Sequence, residues 1–126
     1  MVDLNFLKKT NDTYGHEKGN ISIRRLCMLV CEVFEHSPVF RIGGDEFIVV
    51  LKNRDYRNVD NLIADFYRHL DEAQNDDTLK PWEQISAAIG YAKFDKTVDK
   101  TVDDVFKKAD KAMYDRKVAM KAERKD

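Results

Sequence analysis

Asp45 and Glu46 stand side by side in RIGGDEFIVV, residues 41–50, with two glycines before them and a run of apolar residues after. Adjacent carboxylates repel, and beside a dry core each resists ionisation, so the pair needs a positive partner. Asp3 lies in another apolar stretch, MVDLN, near the end of a strand. If the two stretches are neighbours, three carboxylates meet at one sheet edge. Hard oxygen ligands of that kind suit Mg²⁺, which keeps places for water and substrate phosphates. Two such ions activate a hydroxyl and neutralise charge on a transferred phosphoryl group. Cations for a phosphate are also at hand: Lys8 and Lys9 follow the first acidic stretch, and Lys117 and Lys121 lie one helical turn apart. Taken alone, Gly-Gly-Asp-Glu is also what a polar hairpin turn needs, and lysines on a surface helix are commonly only solvated.

The elements that position these residues follow from hydrophobic period. MVDLN alternates and reads as the end of a strand. FLKKTNDTYGHEKGN is polar with two glycines, which predicts at most a short helix with loop. From Asn20, an N-cap residue type, the chain places Ile23, Leu26, Cys27, Val30, Val33 and Phe34 on one helical stripe, ended by Pro38. VFRIGGDEFIVVL reads as strand, turn, strand, with Gly43-Gly44 expected to supply positive φ for the hairpin. Val59, Leu62, Ile63, Phe66 and Leu70 mark the clearest helix. EQISAAIGYAKF alternates as a strand whose Ala88 and Gly90 imply close packing. Thr101 to Asp104 reads as a capping box with Asp in the acid position, opening a last helix that buries Val105, Ala109, Ala112 and Met113. A central hairpin favours an α/β (α+β) fold with a mostly antiparallel sheet and helices on one or both faces. The first strand looks too short for a sheet centre, which suggests that Met1 is an internal residue of a longer protein.

At 126 residues the chain has the size of one domain, residues 1–126, with a core large enough to fold without staples. A formal net charge of −1 gives no global case for nucleic acid or an anionic membrane. Local charge is less even: from Lys107 onward eight Lys/Arg face four acids, a basic arm. No run approaches the ~18 apolar residues of a membrane span, and the start lacks a signal pattern, so a cytoplasmic chain with no membrane contact from this segment is expected. Cys27 and Cys31, four apart on a helix, suit neither a disulfide nor a zinc site and read as small core residues.

RIGGDEF together with DLNFLKKTNDTYGHEKGN resembles the GGDEF-domain family, the diguanylate cyclases; SAAIGYAKF and ADKAMYDRK resemble its later strand and last helix. The likeness covers essentially the whole chain and lacks the family's leading helix, its Asp-x-Leu-Thr-type segment and most of the first strand. It implies a palm-like, nucleotide-cyclase-type fold and the Mg-dependent condensation of two GTP into cyclic di-GMP with release of two pyrophosphates. A homodimer would hold one GTP per subunit. By motif, Asp3, the Leu4 carbonyl, Asp45 and Glu46 would hold metal, two Mg²⁺ per site with Mn²⁺ as a substitute. Glu46 would alternatively help deprotonate the 3′-hydroxyl. The backbone at Phe6 and Leu7, with Lys8, Lys117 and Lys121, would hold the terminal phosphates; Gly43 and Gly44 would let nucleotide and metal approach. Asn11 and Asn20 would meet the guanine edge, while Asp12 and His16 would brace the loop. The likeness also implies an upstream sensory or regulatory domain, which would carry any membrane anchor, and a role in bacterial signal transduction.

Two departures matter. Asn20 stands where the family has Asp; an amide keeps one acceptor and adds a donor, an edge that also complements adenine. The alternative is that Asn20 is mainly a cap. The family's inhibitory Arg-x-x-Asp falls on Phe34 and Ser37, so feedback through that motif is expected to be absent. Asn5, in place of a second Asp, is not among the expected ligands. A GTP-binding regulatory module with little synthesis of its own stands as the other function class, and a purely structural, dimerising role as a third.

Overall fold

The structure, a computed structural model, describes residues 1–123; Arg124, Lys125 and Asp126 of the basic arm lie outside it. Four strands, β1 (Val2–Leu4), β2 (Val39–Arg41), β3 (Glu46–Val49) and β4 (Ala87–Ile89), form one antiparallel sheet in the order β2-β3-β1-β4. The three-residue β1 is therefore central, against the expectation from its length. Its pairing runs past its ends: Leu4 N donates to Asp45 O at 2.8 Å, Asn5 N to Ser86 O at 2.7 Å, and Gly90 N to Met1 O at 3.0 Å. Ladders on both sides support a strand that few residues of its own would sustain.

Alternation then sorts the two faces. Val2 and Leu4, with Phe47, Ala87 and Ile89, form the main core with Leu26, Val30 and Phe34 of α2 (His16–Val33) and Phe66 and Leu70 of α4 (Val59–Gln74). Met1, Ala88 and Ile48 belong to the opposite face, packed against Ala109, Met113 and Met120 of α5 (Val102–Glu123). Asp3 and Glu46 are cross-strand partners, so the strand period puts both on that second face. Helices thus cover both faces of the sheet.

α5 is seated at several points. The expected capping box forms: Asp104 N donates to Thr101 Oγ1 at 3.3 Å, and Thr101 N to Asp104 Oδ2 at 3.0 Å. Lys108 pairs with the buried Asp99, tying the preceding loop to the helix. Gly90 meets it so closely that a Cβ there would lie 2.1 Å from Met113 N.

Several local readings change. The polar segment after β1 is helical almost throughout, as α1 (Leu7–Tyr14) and the start of α2, broken only at Gly15, whose φ of 93° suits glycine. α1 buries no residue, which is why no apolar stripe announced it. Asn20 lies inside α2 and caps nothing; Gly15 holds that position. His16 and Asp12 are exposed helical residues with no bracing hydrogen bond among the described residues. Gly43 and Gly44 do form the hairpin turn, but neither takes a positive φ. Cys27 packs against the core as expected, whereas Cys31 is exposed; both thiols are free. α3 (Asn53–Arg57) was not anticipated. It carries the buried Asp55, whose Oδ2 accepts from His36 N at 2.9 Å and Ser37 Oγ at 2.7 Å.

Candidate active site

Asp3 is the best-buried acid of the group, 7% exposed, because β1 runs through the sheet centre. Its register partner is Glu46, and the carbonyl of Asp45 accepts the Leu4 N–H. The hairpin and the first strand are therefore neighbours, and the three acids gather at one end of the sheet. They do not close into a cage: among the described residues no three His, Cys, Asp or Glu side chains stand ready to hold an ion together. Instead Asp3 Oδ2 accepts a 2.6 Å hydrogen bond from Lys117 Nζ, reaching across from α5. Asp3 Oδ1 is buried with no hydrogen-bond partner.

The electrostatics follow from crowding. Burial raises the Asp3 pKa, the Lys117 ammonium opposes the rise, and the Asp45 carboxyl adds to it. Glu46 is raised by burial and then by Asp3, Asp45 and Asp110, with Lys117 again the opposing charge. Asp3 and Glu46 are thus each crowded by neighbouring acids, with the Lys117 ammonium opposing the rise at both. Asp110 was missed from the sequence. Its spacing of seven from Lys117 puts both on one side of α5, but only the fold brings that side to Glu46.

This chemistry fits a divalent cation. A buried carboxylate oxygen lacks a partner, its twin already holds a cationic group, and a surplus of hard oxygen donors surrounds both. The glycines of the turn point the same way. A Cβ at Gly44 would meet nothing within 4 Å and one at Gly43 only Glu46 Cβ at 3.9 Å, so neither protein crowding nor backbone conformation requires glycine.

Of the expected phosphate contacts, Phe6 caps α1 in the left-handed conformation, φ 67°, and turns the chain sharply out of β1. Leu7 and Lys8 open that helix, whose first N–H groups have no partner within it. Lys8 and Lys121 are exposed and form no ion pair among the described residues; Lys117 does, with Asp3. Of the expected base contacts, Asn11 leans on α2 so tightly that a Cβ at Gly19 would lie within bonding distance of its Oδ1. That places it beside the residue preceding Asn20. The Asn20 side chain is exposed and takes part in no hydrogen bond among the described residues. Asn5, set aside in the sequence reading, is buried with an unpartnered Oδ1 and donates to Ser86 Oγ at 3.0 Å. Two open clefts flank Asn5 and Phe6, one bounded by Tyr14 and Trp82 and the other by Tyr67 and Arg116; neither is lined by the three acids. Phe34 and Ser37 serve the fold, the first in the core and the second on Asp55.

An antiparallel sheet flanked by helices, with a pair of cross-strand acids beside a Gly-Gly hairpin, defines an α+β domain of the GGDEF type. The family model described as "Diguanylate cyclase, GGDEF domain" matches residues 1–123, and the chain belongs to that family. It is 31% identical over 120 residues to diguanylate cyclase A of Treponema denticola, covering 93% of this chain and 31% of that protein. With diguanylate cyclase DosC of Escherichia coli K12 it shares 30% over 119 residues, covering 90% and 25%. The chain thus spans only about a quarter to a third of these relatives. Among solved structures, the active GGEEF domain of a diguanylate cyclase from Vibrio cholerae superposes with a TM-score of 0.78 at 26% identity, over 94% of this chain and 74% of that one. The GGDEF domain of DgcB from Caulobacter crescentus, solved with c-di-GMP, gives 0.78 at 22% identity over 94% and 70%, a likeness of fold. Among the described residues no helix is long and apolar enough to cross a membrane.

Proposed function

We propose that this chain is a diguanylate cyclase domain that condenses two GTP into cyclic di-GMP, each of two subunits holding one GTP. The observation that carries the reading is Asp3: a buried carboxylate opposite Glu46, holding an ammonium on one oxygen and nothing on the other. Its kinship with curated diguanylate cyclases supports the substrate. Asp3, Asp45, Glu46 and the Leu4 carbonyl are the residues that hold divalent metal, two Mg²⁺ in our reading. Bound there, the metal would lower the pKa of a 3′-hydroxyl and offset charge on the triphosphate.

The rest falls to the protein. The opening turn of α1, from Phe6 to Lys8, presents backbone N–H groups to the terminal phosphates, as helix N-termini do. Lys8, Lys117 and Lys121 supply the matching positive charge. Gly43 and Gly44 leave the backbone bare where nucleotide passes over the hairpin. Where Glu46 does not hold metal, it takes the proton of the attacking hydroxyl, beside its cross-strand partner Asp3. Asn11 and Asn20 meet the base edge from α1 and α2. The reaction joins two nucleotides, and this chain carries one set of these residues, so catalysis needs two copies face to face. The larger proteins in which such domains occur supply the input that brings them together.

A second reading concerns the base. Asn20 is exposed, caps no helix and bonds to nothing among the described residues, so its amide is available to a purine edge. Adenine is then accepted alongside guanine.

Product analysis tests both. With Mg²⁺ and GTP, ATP or a mixture, chromatography and mass spectrometry should find cyclic di-GMP, formed at a rate that rises faster than protein concentration. Mixed or adenine products would establish the relaxed reading. GTP binding without any cyclic product, in this chain and in a form extended upstream, would leave a regulatory nucleotide-binding module in place of the cyclase.

A further inference from the structure

We infer that Lys117 is a tethered cation that occupies the charge position of the metal site until a nucleotide draws it away. The inference rests on the proposed role of Asp3 as a metal ligand and names the competitor that ligand already has. Lys117 Nζ stands 2.6 Å from Asp3 Oδ2, within charge-assisted hydrogen-bond distance, and it comes from α5, 114 residues away in sequence. It has no other ion-pair partner among the described residues. The Asp3 side chain is 10% exposed and that of Lys117 35%, so the bond is shielded on the carboxylate side and open to solvent on the lysine side. The ammonium can therefore leave without disturbing the core, whereas Asp3 cannot follow it out of the sheet.

An ion arriving alone must break this bond and leaves the ammonium beside a new positive charge. An ion arriving with a triphosphate brings the anion that receives Lys117. Bare-ion binding is therefore weak, and metal and nucleotide enter together. Lys117 has two successive partners, Asp3 in the empty protein and a phosphate in the loaded one. Removing its charge should thus move two affinities in opposite directions, which a purely structural lysine or a purely phosphate-binding one would not do.

The test counts Mn²⁺ bound to the nucleotide-free protein, from the paramagnetic resonance signal of the free ion. Lys117→Met should bind Mn²⁺ at least about tenfold more tightly than wild type, the order expected when a charged hydrogen bond no longer competes. Lys117→Arg, which keeps the charge, should stay near wild type. In the same Lys117→Met protein GTP affinity should fall. Circular dichroism verifies folding, and Lys117→Gln carries the comparison if the methionine variant does not hold its fold. Mn²⁺ affinity no higher in the uncharged variant than in wild type overturns the inference, including the case in which neither binds. Adding Asp3→Asn to Lys117→Met separates the two layers. If that change abolishes binding in a variant with no gain over wild type, only the tether falls. If it leaves Mn²⁺ affinity unaltered, the ion is not at Asp3 and the metal reading falls as well.

Discussion

Two glycine-to-alanine changes, at Gly90 and Gly44, should act on different links between sequence and function. At Gly90 the added methyl would lie 2.1 Å from Met113 N and 2.6 Å from Ala112 C and Met113 Cα. Ordinary contact begins at 3.4 Å, so α5 must withdraw by about 3.4 − 2.1 = 1.3 Å. The obstacle is helix backbone, which no rotamer change relieves. Overpacking a tight site costs ~1–3 kcal/mol, and this contact belongs at the upper end. For a chain of this size ~3 kcal/mol corresponds to roughly 10–15 °C in Tm. At Gly44 the methyl meets nothing within 4 Å and the backbone has no positive φ. Stability there should stay within ~0.5 kcal/mol of wild type, or rise slightly as the unfolded chain loses freedom. Cyclic di-GMP synthesis should nevertheless fall at least about tenfold, because in the proposed site nucleotide passes over that residue. Urea and thermal unfolding, with turnover assayed on each variant, separate the two effects. A Gly90→Ala protein as stable as wild type would show that α5 is not seated on β4 as described. A fully active Gly44→Ala protein would remove the hairpin from the nucleotide site.

One further outcome follows. Asn20→Asp should raise the preference for GTP over ATP by about tenfold, since a carboxylate accepts two guanine donors with charge assistance; an unchanged ratio in a competition assay would show that Asn20 does not read the base.

What could be read from the sequence was whatever repeats locally. The α4 stripe from Val59 to Leu70, the Thr101–Asp104 box and the close approach at Gly90 all rest on residues a few positions apart or on side-chain size, and the structure contains each of them. The neighbourhood of Asp3 and Glu46 was only a condition in the sequence, and the fold meets it by pairing β1 with β3. α1 was legible only as at most a short helix, since its eight residues bury nothing. β1 was misjudged because its strength comes from Phe47, Ala88 and Ile89, far along the chain. The glycines of the turn were given a conformational reason, positive φ, that the backbone does not use. Lys117 was expected as a phosphate ligand from the family resemblance; its contact with Asp3 depends on how closely α5 lies to the sheet.

That closeness joins the fold to the site. On the face of the sheet turned to α5, β4 offers only Ala88, and the residue just past its end is Gly90, already close against the helix backbone. Residues of ordinary size would hold α5 further out, and an Asp at the centre of the sheet would be left buried without a counter-charge, a state costing several kcal/mol. These two small residues therefore do more than pack. They set the distance at which a lysine four residues beyond Met113 reaches Asp3. Neutralising Asp3 in this way allows an acid to stand at the sheet centre before any ligand arrives. A larger residue at position 88 or 90 would harm the domain twice, by strain in the helix seat and by exposing the cost of the carboxylate that the site requires.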